Sequence, residues 1–252
     1  MTEHLSRKQN ARDKLKLDFF TASKELYDVP FFTKRLLEIY DERDVSITLN
    51  TRVKGVDTSA KKVYMQRISK TKKQIKLPDG SIKEEEVQTI TPVVENYDFL
   101  HFLPPMYGPK FIREAGLAVE GGALEREGWA AVDKYTLVHP KYSNIVCLGD
   151  ASSLPTSKTS AAIRKQVPIA TANLISLMEG KTPEKKYDGY AACPIITDYG
   201  HVLLCEFDYD KKEMISFPFS MLDMSHEQWA AWLLKVYALK PMYFYGMLKG
   251  LT

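Results

Sequence analysis

The rhythm of apolar and polar positions changes several times along this chain, and each change marks an element. KLKLDFFTAS (14–23) alternates and then turns apolar, as a strand does. VPFFTKRLLEIYDERD (29–44) shifts to a helical period that puts Phe32, Leu36, Ile39 and Tyr40 on one face. VSITLN (45–50) returns to a strand. Strand, helix, strand is the unit of a parallel α/β sheet, with the helix as crossover. Ahead of it TEHLSRKQNARDK is polar apart from Leu5 and reads as the end of a helix that has been cut off.

From Thr51 to Asp98 several short β-prone runs, TRVKGVD, KKVYMQRI, QTITPVV and YDFLHFL, are joined by turn chemistry such as PDG, which predicts a β-meander with a hairpin. The basic run KTKKQIK (70–76) is balanced at once by LPDGSIKEEE, so it reads as a solvated hairpin. PPMYGPKFIREAGLA is an irregular, proline-rich connection, and GWAAVDKYTLVHPKYSNIVCLGD predicts two turns and then a strand at 145–148 that ends in Gly149 and Asp150. After ASSLPTSKT comes a helix, SAAIRKQVPIATANLISLMEG, with Ile163, Val167, Ala170, Leu174 and Leu177 on its apolar face, Pro168 inside it and Gly180 as its stop. AACPIIT, HVLLCEFDY and MISFPF around the turn DYGH predict a small antiparallel sheet. SHEQWAAWLLKVYALK places Trp229, Trp232, Leu233, Val236 and Tyr237 on one broad aromatic face behind a Ser225/Gln228 capping box. PMYFYGMLKGL follows with three aromatic residues, two methionines and one lysine, a composition suited to a membrane interface.

Composition narrows the class. With 252 residues, 44% of them apolar and 27% charged, the chain has material for one large domain or two ordinary ones and is no polytopic membrane protein. Its 35 basic and 32 acidic residues leave a net charge of +3, too little to imply nucleic acid as a partner. Three cysteines at irregular spacing make neither a disulfide framework nor a zinc site, so no metal is expected and a reducing compartment is. Nothing resembles a signal peptide or a run of about 18 apolar residues, so any membrane contact is peripheral.

Two places can carry chemistry. A carboxylate leaving a strand end, Asp150, can accept hydrogen bonds from a polyol, while the following helix N-terminus and Lys158 offer positive charge to an anionic ring system such as a reduced flavin. Read blandly, Asp150 caps the helix and Lys158 is solvated. Cys193, between small residues and a proline, is either a small buried hydrophobe or a nucleophile. Cys147 and Cys205 read as packing. With a turn at Tyr199 and Gly200, Cys193 and Cys205 fall nearly opposite each other, which leaves a strained cross-strand disulfide as an alternative.

NIVCLGDASSLPTSKTSAAIRKQ (144–166), KKYDGYAACPIITDYG (185–200) and EFDY (206–209) resemble the mitochondrial-like sulfide:quinone oxidoreductases, of the flavoprotein disulfide reductase group. The resemblance runs from near Met1 to the C-terminus. It implies a partial α/β flavoprotein of the two-dinucleotide-binding-domain, Rossmann-like type, with a C-terminal amphipathic membrane-associated region. Residues 1–95 would be the C-terminal part of the inserted second nucleotide-binding-like domain, and 96–182 the returning segment of the FAD-binding domain. Residues 183–252 would hold the redox-cysteine sheet and the membrane helices. The resemblance further implies that Gly149 and Asp150 meet the flavin ribityl chain, that Lys158, Thr159, Ser160 and Ala161 line FAD, and that Cys193 is one of two redox-active cysteines. Sulfide would be the donor, a membrane quinone the acceptor and a small thiol the sulfur acceptor, at the mitochondrial inner or the bacterial cytoplasmic membrane.

One departure accompanies the match. No two glycines in this chain are separated by a single residue, so the G-x-G-x-x-G turn that cradles the FAD pyrophosphate has no counterpart. The second redox cysteine also has no position here. The expectation is therefore the C-terminal half of the enzyme. Its alternative is a non-catalytic or half-enzyme module that needs a separate N-terminal half. An NAD(P)H:quinone reductase is disfavoured, because that chemistry needs no cysteine at 193.

Overall fold

The computed structural model describes residues 1–76 and 82–251; the turn expected at 78–80 lies outside the described residues. Contacts divide the chain into two units, one of Thr2–Asp28 and Leu36–Leu103, the other of Met1, Val29–Arg35 and Pro104–Thr252.

The first unit holds helix α1 (Thr2–Lys8), strand β1 (Leu17–Phe20), the part of helix α2 (Pro30–Glu42) from Leu36 onward, and strand β2 (Val45–Thr48). Strands β1 and β2 pair in parallel with Leu17 opposite Val45, the crossover that the alternating and helical rhythms predict. On α2 the expected face is the one that sinks: Phe32, Leu36 and Ile39 are buried, and Tyr40 meets Phe19 edge to face. Strands β3 (Thr51–Asp57), β4 (Lys62–Lys76) and β5 (Ile82–Asn96) form the expected antiparallel meander in sequence order. The charge runs do not interrupt it. Lys70 pairs with Glu86, and Lys72 with Glu84 at 3.1 Å, diagonally across β4 and β5, so the two runs are exposed cross-strand partners. Pro92 is tolerated because β5 is an edge strand. The run at 97–103 is not a strand.

The second unit opens on the short helix α3 (Lys110–Glu114) within the proline-rich connection. The segment at 145–148 is extended, but it forms no ladder: Val146 makes a single bridge to Val138, with Cys147 N–H donating to the Leu137 carbonyl at 3.1 Å. The expected strand is reduced to this bridge and a bond from His139 N–H to the Ile145 carbonyl at 2.9 Å. Helix α4 (Ser160–Met178) runs through Pro168 and ends before Gly180 at φ 73°. Its buried face is Ala162, Gln166, Ala170 and Asn173, of which only Ala170 belongs to the apolar set expected; Val167 and Leu174 are exposed. Strands β6 (Ala191–Asp198) and β7 (His201–Phe207) make the expected hairpin, whereas MISFPF adds no third strand: Glu213, just before it, bridges Phe207, and Met214 N–H donates to the Glu206 carbonyl at 2.9 Å.

Residues 229–249 form a continuous helical run that opens with α5 (Trp229–Leu233) and then widens into π turns at Leu234–Ala238 and Met242–Gly246. The expected capping box is absent. Ser225 N–H and Oγ both turn to Asp223, and Gln228 reaches the Asp223 carbonyl and the Val202 strand, so the helix starts three residues later than the sequence suggests. No helix of the described residues is long and apolar enough to cross a membrane.

One core of this unit gathers Leu137, Leu154, Ala170, Tyr187, Tyr190 and Ala192; another gathers Val202, Leu204, Met224 and Ala231. The first sits under the loop and hairpin described next.

Candidate functional site

The extended segment at 145–148 delivers Gly149 into a buried turn at φ 63°. A β-carbon there would lie 3.0 Å from Ile163 Cδ1, so the close approach of loop to α4 requires glycine. Gly149 N–H donates to Gln166 Oε1 at 2.8 Å, and Ser152 Oγ donates to the Gly149 carbonyl at 2.8 Å. Asp150 is exposed on the same turn. It does not cap α4. Thr159 does, accepting the Ala162 N–H at 3.2 Å, because eight residues separate Asp150 from it.

Lys158 is not solvated either. It is half-buried, its Nζ donates to the Ser152 carbonyl at 2.6 Å, and it stands 4.0 Å from the centroid of the buried Trp129 ring. Trp129 Nε1 in turn donates to Glu127 Oε2 at 2.7 Å. Burial pulls the Lys158 ammonium below the usual lysine range, and the charges of Asp150, Cys147 and Glu127 partly offset it. Gly149, Thr156, Ser157, Lys158, Thr159 and Gln166 line one shallow depression. Of the residues expected to line FAD, the depression thus joins Gly149, Lys158 and Thr159. Asp150 lies beside it, Ser160 is exposed at the start of α4, and Ala161 packs on the core.

The loop is tied to the cysteine hairpin: Thr156 Oγ donates to the Gly189 carbonyl at 2.9 Å. Four residues on, Cys193 sits in β6 directly opposite Cys205 of β7, as the turn position suggested, and both are thiols rather than a disulfide. Pro194, which has no N–H to give the ladder, pairs with Leu204, so a non-bonded register there and a bonded one at Cys193 and Cys205 suit the backbone. Burial pushes the half-buried Cys193 thiol up, while Lys235 pulls it down. Cys147 is shifted up by burial as well, against Lys158 and the Leu148 N–H.

Sequence reasoning missed the buried polar groups. Glu206 is 4% exposed and accepts from Tyr190 OH, from Ser216 Oγ at 2.9 Å and from Ser216 N–H at 2.9 Å. Asn173, fully buried, donates to the carbonyls of Thr136 and Lys185 and accepts the Lys185 N–H. A signal existed: Ala162, Gln166, Ala170 and Asn173 recur at i, i+4, i+8 and i+11, a face of small residues and amides that suits docking against backbone.

These donors fit the flavin end of FAD in kind: a cation held at a glycine turn, N–H groups at a helix start and an exposed carboxylate for ribityl hydroxyls. They offer nothing for the pyrophosphate end, which matches the missing glycine-rich turn.

No family model matches the chain. It is 32% identical to the mitochondrial sulfide:quinone oxidoreductase of Mus musculus over 250 residues, 99% of this chain and 50% of that protein. The Dictyostelium discoideum relative of the same name is 35% identical over 97% of this chain and 48% of its own length. That of Schizosaccharomyces pombe is 32% identical over 86% and 42%. The chain therefore spans about half the length of the curated relatives it matches. Among solved structures, a chain in the mitochondrial ATP synthase of Tetrahymena thermophila shares the fold at a TM-score of 0.70 and 20% identity, covering 96% of this chain and 53% of that one. The sulfide:quinone oxidoreductase of Aquifex aeolicus does so at 0.54 and 18%, covering 81% and 46%.

Proposed function

This chain is a relative of the sulfide:quinone oxidoreductases, matching them over about half of their length, and from that premise we propose that it carries the sulfur-handling cysteine and the flavin-facing loop of such an oxidoreductase. The observation that carries the reading is the hydrogen bond from Thr156 to the Gly189 carbonyl, which locks the Lys158 loop to the Cys193 hairpin. When bound, FAD would supply a two-electron acceptor. Lys158 and the N–H groups at Thr159 would hold negative charge, and Asp150 would accept ribityl hydroxyls. Cys193 would keep the sulfur of oxidised sulfide as a persulfide until a small thiol removes it, and electrons would leave to a membrane quinone. The exposed aromatic rings of 229–251 would meet the membrane surface. The names of the relatives favour the mitochondrion.

Sulfide added anaerobically to flavin-loaded protein should bleach the flavin absorbance. Cys193→Ser should retain flavin and lose the bleaching. A protein that takes up no flavin, alone or with a polypeptide corresponding to the relatives' other half, would refute the reading. A second, non-catalytic reading draws on Cys193 itself, since burial disfavours its thiolate; it predicts bound flavin, if any, that sulfide leaves unbleached.

A further inference from the structure

A second concavity, of about 320 Å³, is lined by Tyr107, Gly108, Lys110, Arg113, Arg126 and Glu127. Its walls are braced. Gly108 N–H donates to the Glu127 carbonyl at 2.7 Å, Arg113 Nη2 donates to the Arg126 carbonyl at 2.8 Å, and a β-carbon on Gly108 would meet the Gly128 carbonyl oxygen at 2.0 Å, so α3 and the turn at 123–128 are in close contact. Three basic residues and one acidic residue thus line the concavity. That carboxylate already accepts from Trp129, and of the cations only Lys110 has an acidic partner among the described residues, Glu114 at 2.7 Å on the exposed face. Two arginines and a lysine share one depression, with Arg113 fixed on the backbone and Arg126 without an acidic partner among the described residues, and a guanidinium fork suits the oxygens of a phosphate. We propose that this pocket binds a phosphate group. The neighbouring Met106 and Phe111 side chains are 63% and 65% exposed, so the phosphate can be free in solution or the headgroup of an anionic phospholipid.

The site is independent of the flavin reading, and its test uses the whole chain. Calorimetric titration with inorganic phosphate at low ionic strength gives one arm. Co-sedimentation with phosphatidylcholine vesicles, with and without phosphatidic acid, gives the other. Binding in the first arm alone assigns a soluble phosphate; binding that depends on phosphatidic acid assigns the lipid. Arg126→Ala, at an exposed position, should weaken either by about tenfold, the loss of one charge-assisted hydrogen bond, with an unchanged urea midpoint. Lys110→Gln should weaken it less, and Cys193→Ser not at all. Absence of binding in both arms, or equal binding by Arg126→Ala and the parent, overturns the proposal.

Discussion

Gly189 is where the sequence motif leans most heavily on one atom. Its φ is 88°, and a β-carbon there would stand 2.2 Å from Cγ of the Tyr209 ring. Contact at van der Waals distance is about 3.5 Å or more, so Gly189→Ala must push that ring aside by more than about 1 Å. The ring is not free to go. It meets Tyr187 edge to face at 5.6 Å and Tyr135 at 6.4 Å, and its hydroxyl donates to the Lys134 carbonyl at 2.7 Å. Losing most of these contacts costs roughly 2–4 kcal/mol, at about 0.5–1.5 for each aromatic pair and about 1 for the hydrogen bond. The left-handed backbone adds about 1–2 kcal/mol. Gly180 isolates that second contribution, because its φ is 73° and nothing lies within 4 Å of the missing β-carbon. Urea unfolding followed by tryptophan fluorescence should show Gly180→Ala losing about 1 kcal/mol and Gly189→Ala about 3–5. Tyr209→Leu should relieve part of the difference in the Gly189→Ala background, with a coupling of about 1 kcal/mol or more. Equal losses at Gly180 and Gly189 would refute the packing argument.

Cys193 should react slowly with iodoacetamide at neutral pH, because burial favours the thiol, and its rate should climb only at a pH above that of a free cysteine; Lys235→Gln should move the profile higher still, since it removes the charge that stabilises the thiolate. A profile at or below that of free cysteine would contradict the burial seen for this side chain. Glu206→Ala should cost roughly 2–4 kcal/mol in the same urea assay, because Tyr190 and Ser216 lose a buried carboxylate acceptor, whereas Ser216→Ala should cost about half as much.

Local signals were legible and long-range ones were not. The β1–α2–β2 crossover followed from periods of two and 3.6, and the facing of Cys193 and Cys205 followed from the turn at Tyr199 and Gly200, since hairpin register is set by its turn. The Gly149 turn and the nearness of Lys158 and Thr159 to it also followed from short spacing. The buried face of α4 did not. Hydrophobicity points to Val167 and Leu174, but Gln166 and Asn173 are drawn inward because they satisfy the Gly149 N–H and the backbone of Thr136 and Lys185, partners 17, 37 and 12 residues away. Lys158 is half-buried rather than solvated, and no pattern of spacing reveals that Trp129 lies beneath it.

The hairpin at the centre of the motif divides its labour by face. Successive side chains on a strand point to opposite sides, so Cys205 and Glu206 cannot serve the same surface. Cys193 pairs with Cys205, and Ala192 pairs with Glu206, which sends the two thiols to one side and the carboxylate to the other. On the carboxylate side Glu206 binds Tyr190 and Ser216, and Tyr187 OH donates to the Tyr190 carbonyl, so the tyrosines of YDGY act as braces that fix β6 from behind. On the thiol side the strand presents Cys193 with only part of its surface open, and the charge of Lys235 favours its thiolate. The tyrosines are therefore kept by the geometry of the strand rather than by contact with sulfur. Removing the Glu206 carboxylate should accordingly lower stability while leaving the pH dependence of Cys193 alkylation in the folded protein where it was.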